Sequence, residues 1–403
     1  MSALSILFVT PRFPLPLLSG DRARAFHQLR VLSRRHRLTL VTYADPAAAA
    51  KAHGLLEDMG VRVVTVPFTK AGAALRLARG VLSPLPLQAA LYNSPHMRET
   101  IRALVKAERF DLAHVQLARS VPLVDADLGL PRVVDLIDAL SLNMRRRAAH
   151  DRGWLRWAAL VDAARLQRYE QQICASVAAT FVVAPADREA IGDYPTLSII
   201  PNGVDLSAFP HVETPRDRHH LVFTGNLGYF PNVDAVLWFA TEVLPRVWRA
   251  HPEARLTIAG ARPHRRILAL AQKEPRIEVI GNVQHMHPHL AAARVSVAPM
   301  RAGSGQLLKV LEAMSTGTPV VTTSRGLSGI QAVSGEHALV ADTPDAFAAH
   351  VIALIEDDRL ASRLASAGHA LVERLYTWDR SVADLERIYL QVAQVAPVEA
   401  SCV

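Results

Sequence analysis

Apolar residues along this chain gather into short β-branched runs, separated by longer stretches whose apolar positions recur at helical spacing. In the first half the runs fall at 6–10 (ILFVT), 38–43 (LTLVTY), 61–66 (VRVVTV), 112–116 (LAHVQ), 132–137 (RVVDLI), 179–184 (ATFVVA) and 197–200 (LSII). A polar segment at 211–220 (HVETPRDRHH) interrupts the alternation. It resumes at 221–225 (LVFTG), 255–260 (RLTIAG), 277–281 (IEVIG), 295–299 (VSVAP), 319–323 (PVVTT) and 338–341 (ALVA). Near-continuous apolar strands alternating with helices mark parallel sheets covered on both faces. The pattern predicts an α/β protein of two doubly wound, Rossmann-like domains: 1–205, a linker at 206–217, 218–376, and a final helix and tail at 377–403.

Ligands of such sheets bind beyond the carboxyl ends of the strands, so the loops leaving the strands hold the candidate chemistry. The richest is RAGSGQLLKVLEAMSTGTPVV, 301–321. Leu307, Leu311 and Met314 repeat at helical spacing, Gly317 sits where a C-terminal cap belongs and Pro319 opens the next strand, which predicts a helix over 306–315. Gly303 and Gly305 permit close backbone approach ahead of it, where unpaired N–H groups favour an anion. Lys309 and Glu312, three apart, share one side of the helix, and their side chains lean toward its start. A lysine there neutralises phosphate, and a carboxylate accepts hydrogen bonds from vicinal hydroxyls, so the pair suits a nucleoside diphosphate. An ordinary surface pair beside a chain turn explains the same residue types.

A length of 403 residues, half of them apolar, suits two filled cores. No uninterrupted apolar run reaches the length of a spanning helix, and MSALSILFVTPRFP lacks a basic leader, so no signal peptide or membrane span is expected. Cys174 and Cys402 make neither a disulfide framework nor a thiolate cage, consistent with a reducing cytoplasm. The net charge of +8 comes largely from arginine, the lysines being Lys51, Lys70, Lys106, Lys273 and Lys309. It favours anionic partners without choosing among them.

In order and spacing, IIPNGVD (199–205), FTGNLGYFPNVDAVLWF (223–239), LTIAGARP (256–263), SGQLLKVLEAMSTGTPVVTT (304–323), GLSGI (326–330) and YTW (376–378) resemble the retaining glycosyltransferase 4 family. The first half carries the likeness in 10–42. The resemblance is to the branch associated with bacterial exopolysaccharide biosynthesis. It implies a GT-B fold, an N-terminal acceptor domain, a C-terminal nucleotide-sugar domain and a last helix, within 379–394, that crosses back onto the first domain. It also implies transfer without a tightly bound cofactor or catalytic metal, the leaving diphosphate being stabilised by amides and cations.

Carried over residue by residue, the resemblance implies that Glu312 holds the ribose, that Gly225 and Asn226 lie near the phosphates, and that Gly20 and Arg24 approach the donor. Two departures stand out. Ser304 occupies the place of the family's first glutamate, and 225–239 lacks the usual arginine and lysine; Lys309 with Arg301 is the expected substitute, beside Gly303, Ser304 and Gly305. His114 and Gln116 are candidates for the group near the reacting carbon on the acceptor side, with a buried structural histidine the alternative for His114.

Other signals are weaker. His285, His287 and His289 alternate but lie in a loop interrupted by Pro288, without nearby carboxylate or cysteine, so no metal is expected there. Asp125 and Asp127 fall in a surface turn, and no serine sits in a nucleophile elbow. Residues 143–172 mix arginines with Trp154 and Trp157 in one long helix, which suits either contact with an anionic membrane surface or tryptophans packed inward. Aromatic residues are not interleaved with the basic clusters, so nucleic acid is not an expected partner. The expected partners are a nucleotide sugar and a glycan or lipid-linked acceptor. The rival functions are a sugar-nucleotide epimerase of the same fold and a non-catalytic sugar-nucleotide-binding subunit.

Overall fold

The computed structural model describes residues 3–17, 19–44, 54–80, 83, 85–148, 153–213, 216–303 and 305–395. They form two units, 1–200 with 381–403, and 201–380. The first contains seven strands, β1 (Ser5–Thr10), β2 (Arg37–Tyr43), β3 (Val61–Val66), β4 (Leu112–Gln116), β5 (Arg132–Ile137), β6 (Ala179–Val182) and β7 (Leu197–Ile199). Their spatial order is β3-β2-β1-β4-β5-β6-β7, every pairing parallel. Because successive side chains point to opposite faces, β1 feeds two cores at once: Ile6 and Phe8 into one, Leu7 and Val9 into the other. Strand order reverses between β1 and β4, the place where a sheet of this kind opens a crevice.

The helix Trp378–Val395 packs into the first unit's core, with Val382, Leu385 and Tyr389 buried alongside Ile6, Phe8, Leu38 and Leu40. Its amphipathic spacing supplies the apolar stripe, and burying each such side chain is worth about 1.5–3 kcal/mol. Glu386 fixes it at one point, accepting from Arg35 Nη1 at 2.9 Å and meeting His36 Nε2 at 3.1 Å.

The second unit holds six strands, β8 (Asp217–Thr224), β9 (Arg255–Gly260), β10 (Ile277–Gly281), β11 (Ala293–Ala298), β12 (Val320–Thr322) and β13 (Leu339–Val340). They run β10-β9-β8-β11-β12-β13, again all parallel, with the switch between β8 and β11. The loops leaving these two central strands begin at Gly225 and Pro299.

Two sequence expectations are corrected. The segment 206–217 is no free linker, because its polar residues bond into the second unit. Ser315 Oγ donates to Phe209 O at 2.7 Å, and the Arg216 guanidinium donates to Ala291 O, Thr318 Oγ1 and Thr316 O, each at 2.8 Å. Charge hid an arginine that satisfies a cluster of chain-end carbonyls. The second unit also takes in 201–205, where the Gln306 side chain accepts from Asn202 N at 2.7 Å.

Candidate functional site

At the switch point of the second unit, β8 ends in Thr224 and the chain turns through Gly225 (φ 145°) into the helix Phe230–Trp238. At that φ a side chain would be strained, and a Cβ there would also stand 2.9 Å from Lys309 Nζ and 3.1 Å from Asn232 Nδ2. Gly260 at the end of β9 is bound by the same crowding, its Cβ position lying 1.7 Å from Gly225 O. Asn226 shapes the turn, its side-chain oxygen accepting from Gly228 N at 3.1 Å and its carbonyl from Asn232 Nδ2 at 2.8 Å. The loop after β11 carries Gly303 (φ 105°) and Gly305 (φ 72°), and leads into the helix Leu308–Ser315, two residues shorter at its start than expected. Leu307, in extended conformation, caps that helix without a side-chain hydrogen bond.

Lys309 reaches from this helix across the switch point. Its Nζ donates to Asn232 Oδ1 at 2.8 Å, lies 3.9 Å from the centre of the Phe223 ring and 4.0 Å from Met300 Sδ. The ammonium thus rests on groups from the ends of both central strands, held by one neutral oxygen and a ring face. Burial pushes it down to about 7, opposed by the attraction of Glu312. Glu312, one turn on, is pushed up to about 7 by burial, opposed by Lys309. Both side chains keep partial solvent access. Neither group is neutralised by a close ion pair among the described residues, so an incoming anion would meet an amine that it favours in the charged, ammonium form.

Arg301 is not a second free cation. It is tied bidentately to Asp234, Nε at 3.0 Å and Nη2 at 2.6 Å, and its guanidinium lies 5.5 Å from the Trp238 ring centre. The planar fork suits a carboxylate better than a distant phosphate, and the helix Phe230–Trp238 offers one. Sequence reasoning overlooked Arg325, whose Nη1 donates to Gly303 O at 3.4 Å. Its position after β12 made it one arginine among forty with no motif. Ser304 lies outside the described residues.

In the first unit the candidates separate. Gly20 opens the helix Gly20–Leu32 and is exposed, with nothing within 4 Å of where a Cβ would stand. Arg24, on the same helix, is withdrawn from solvent and pairs with Asp135, Nε to Oδ2 2.6 Å, while Gln28 Nε2 donates to the same oxygen at 2.9 Å. The sequence reading has it approach the donor; in the structure its side chain is held in the core by a carboxylate. His114 is likewise a core residue: it is fully buried, stacks on Phe8 at 4.1 Å and shares a hydrogen bond of 2.5 Å between Nδ1 and Tyr389 Oη. Burial holds it down to about 4, hence neutral. These are the surroundings of a buried structural histidine, the alternative the sequence leaves open for His114. Gln116, two residues on, ends β4 and donates from Nε2 to Asp21 O at 2.9 Å, joining the two loops at that switch point.

Two features there carried no sequence signal. Leu117 (φ 68°) and Ile137 (φ 66°), just past β4 and at the end of β5, hold a left-handed backbone that costs bulky residues free energy. Beside them Asp138 is pushed up to about 7, by burial and then by Asp187, and Glu170 is pushed up to about 6 by burial. Trp157 is 70 % exposed, and Leu160 and Val161 of the same helix, Trp154–Ser176, are exposed too, so the reading in which Trp157 packs inward fails. The Trp154 side chain is outside the description.

Two family models match the chain: Glycosyltransferase Family 4 over residues 23–208, and Glycosyl transferases group 1 over 218–357. With two parallel-sheet Rossmann-like units arranged in the strand orders above, the chain belongs to glycosyltransferase family 4 and has the GT-B fold. Among curated relatives, it is 30% identical over 207 residues to the phosphatidyl-myo-inositol mannosyltransferase of Mycobacterium tuberculosis, covering 48% of this chain and 54% of that protein. It is 27% identical over 204 residues to the glycogen synthase of Mycobacterium tuberculosis, 48% of each chain. The chain thus spans about half the length of the curated relatives it matches. HepE of Anabaena, solved in complex with UDP and glucose, superposes with a TM-score of 0.67 at 16% identity over 95% of this chain and 98% of its own, a likeness of fold.

Proposed function

We propose that this chain is a retaining glycosyltransferase that moves a sugar from a nucleotide-diphosphate donor to a glycan or lipid-linked precursor in exopolysaccharide or cell-envelope synthesis. The observation that carries the reading is the position of Lys309: a half-buried amine at a sheet switch point, against the Gly225 backbone, one helical turn from a carboxylate that makes no hydrogen bond among the described residues. In this reading Lys309 and the backbone around Gly225, Asn226, Gly303, Ser304 and Gly305 hold the diphosphate, and Glu312 accepts from the ribose hydroxyls. As the glycosidic bond to the donor breaks, charge grows on the leaving phosphate, and a preorganised ammonium stabilises it more than in the ground state. Gln116 and the strained ends of β4 and β5 are the acceptor-side candidates.

That HepE was solved with UDP and glucose supports the donor class, and the mannosyltransferase's phosphatidyl-myo-inositol supports a lipid-borne acceptor. No described helix is long and apolar enough to cross a membrane. Contact with an anionic membrane surface, at the cytoplasmic face, would use exposed Trp157 with its neighbours Leu160 and Val161. Thermal-shift titration with UDP-, GDP-, ADP- and dTDP-sugars tests the reading. A donor at 100 times its Kd should add about 2.7 kcal/mol of apparent stability. Release of nucleotide only when a glycan or lipid-linked acceptor is added marks a transferase; conversion of the sugar without acceptor marks an epimerase, and binding without turnover a sensor subunit. No stabilisation by any of the four would defeat the proposal.

A further inference from the structure

The sequence reading weighs and discounts metal-ligand spacing at His285, His287 and His289 and at Asp125 and Asp127, yet the fold of the second unit assembles another set. His219 sits early in β8, His251 caps the end of the helix Leu244–Ala250, and Glu253 follows in the turn before β9. All three lie at the amino ends of the strands, away from the loops leaving β8 and β11. One ligand atom from each falls within 4.8 Å of the other two. Glu253 Oε1 is 2.9 Å from His219 Nε2 and 3.9 Å from His251 Nδ1. A tetrahedral zinc ion bound at about 2.0–2.1 Å needs donors roughly 3.4 Å apart, between these two separations.

A second, independent observation concerns the other ring nitrogen of His251. Its Nε2 lies 3.1 Å from Glu356 Oε1, at the end of the helix Pro344–Glu356. A carboxylate there accepts a hydrogen bond from Nε2–H, which fixes the tautomer and leaves the Nδ1 lone pair on the side of Glu253 and His219. That is the outer-shell arrangement that orients and strengthens metal-binding imidazoles. Arg255, on the neighbouring strand β9, is itself engaged, its Nη2 pairing with Asp217 Oδ2 at 2.7 Å.

We propose that His219 Nε2, His251 Nδ1 and Glu253 Oε1 bind a divalent transition-metal ion of the zinc type, with Glu356 as outer-shell orienter and water in the fourth position. The ion takes the place of the direct contact between His219 and Glu253. The ion ties the start of β8 to the turn before β9 and, through Glu356, to the helix Pro344–Glu356, and so acts on stability rather than on sugar transfer.

The test is titration of the chelator-treated full chain with zinc alone, by calorimetry and against a chromophoric chelator. One equivalent should bind saturably and raise the melting temperature. His219→Gln and His251→Gln, which keep polar side chains of similar reach, should each abolish that binding while melting like the wild type in chelator. Glu356→Gln should weaken it by roughly 10–100-fold. Should either glutamine variant unfold, cobalt absorption of the wild type decides: an intense visible band supports four-coordination, a weak one overturns it. The proposal also falls if zinc binding is absent, if it survives the double variant His219→Gln/His251→Gln, or if it vanishes only on replacing His285, His287 and His289.

Discussion

The two switch points use the same parts differently. In the first unit the cation of the opening helix, Arg24, is closed into an ion pair with Asp135, supported by Gln28, and the histidine of the central strand is sealed between Phe8 and Tyr389. In the second unit the cation stands against a neutral amide oxygen, an aromatic face and a sulfur, with its carboxylate neighbour left open. A charge whose partner is built in stabilises the fold. A charge desolvated without one is available to a ligand, and under the proposed function this contrast separates the two halves.

The contrast can be broken most forcefully at Asp135. Asp135→Ala strands a buried guanidinium and should cost about 3–5 kcal/mol, read as a lowered urea midpoint, while nucleotide affinity of the folded protein stays unchanged. A parallel fall in affinity would show that Arg24 serves the donor after all. Next comes Lys309→Ala, which should lower kcat/KM by about 10²–10³-fold with little change in melting temperature, as for other groups that stabilise developing charge. A large loss of stability with unchanged kinetics would reverse the assignment of roles. Glu312→Ala removes charge-assisted hydrogen bonds to a ribose and should weaken nucleotide binding by about 1.5–3 kcal/mol, measured by calorimetry with the nucleoside diphosphate.

The pH dependence sharpens the same point. Burial sets the free Lys309 at about 7, and a bound diphosphate favours its ammonium, so the bound value lies higher. Above pH 7, nucleotide binding should therefore take up as much as one proton, and affinity should fall as pH rises; Glu312, at about 7, is already ionised there. Calorimetry at pH 8 in buffers of different ionisation enthalpy checks the sign, and proton release would contradict it. The smallest effect is expected at Trp157→Ser, which should reduce flotation with anionic liposomes several-fold and leave donor affinity alone.

The strands were legible because buried parallel strands are near-continuous apolar runs: β3, β4, β5, β9 and β10 occupy the residues the pattern marked. Lys309 and Glu312 could be paired because both lie on one short helix. What escaped was long-range. His114 looked chemical until Tyr389, 275 positions later, was seen to cap it, and Arg24 until Asp135, 111 positions later, answered its charge. Arg301 needed Asp234 on a neighbouring helix, and Arg216 needed acceptors from two other segments, at 291 and at 316–318. Spacing within a motif says nothing of such partners, and a strained φ at Leu117 or Ile137 leaves no trace in residue type.

The helix Trp378–Val395 makes the first unit discontinuous along the chain. Val382, Leu385 and Tyr389 fill the core around β1, so that core closes only once this distant segment has been synthesised, whereas 201–380 is contiguous and can close before it. Clipping the chain before Val382 should therefore destabilise the unit built on 1–200 and spare the one built on 201–380.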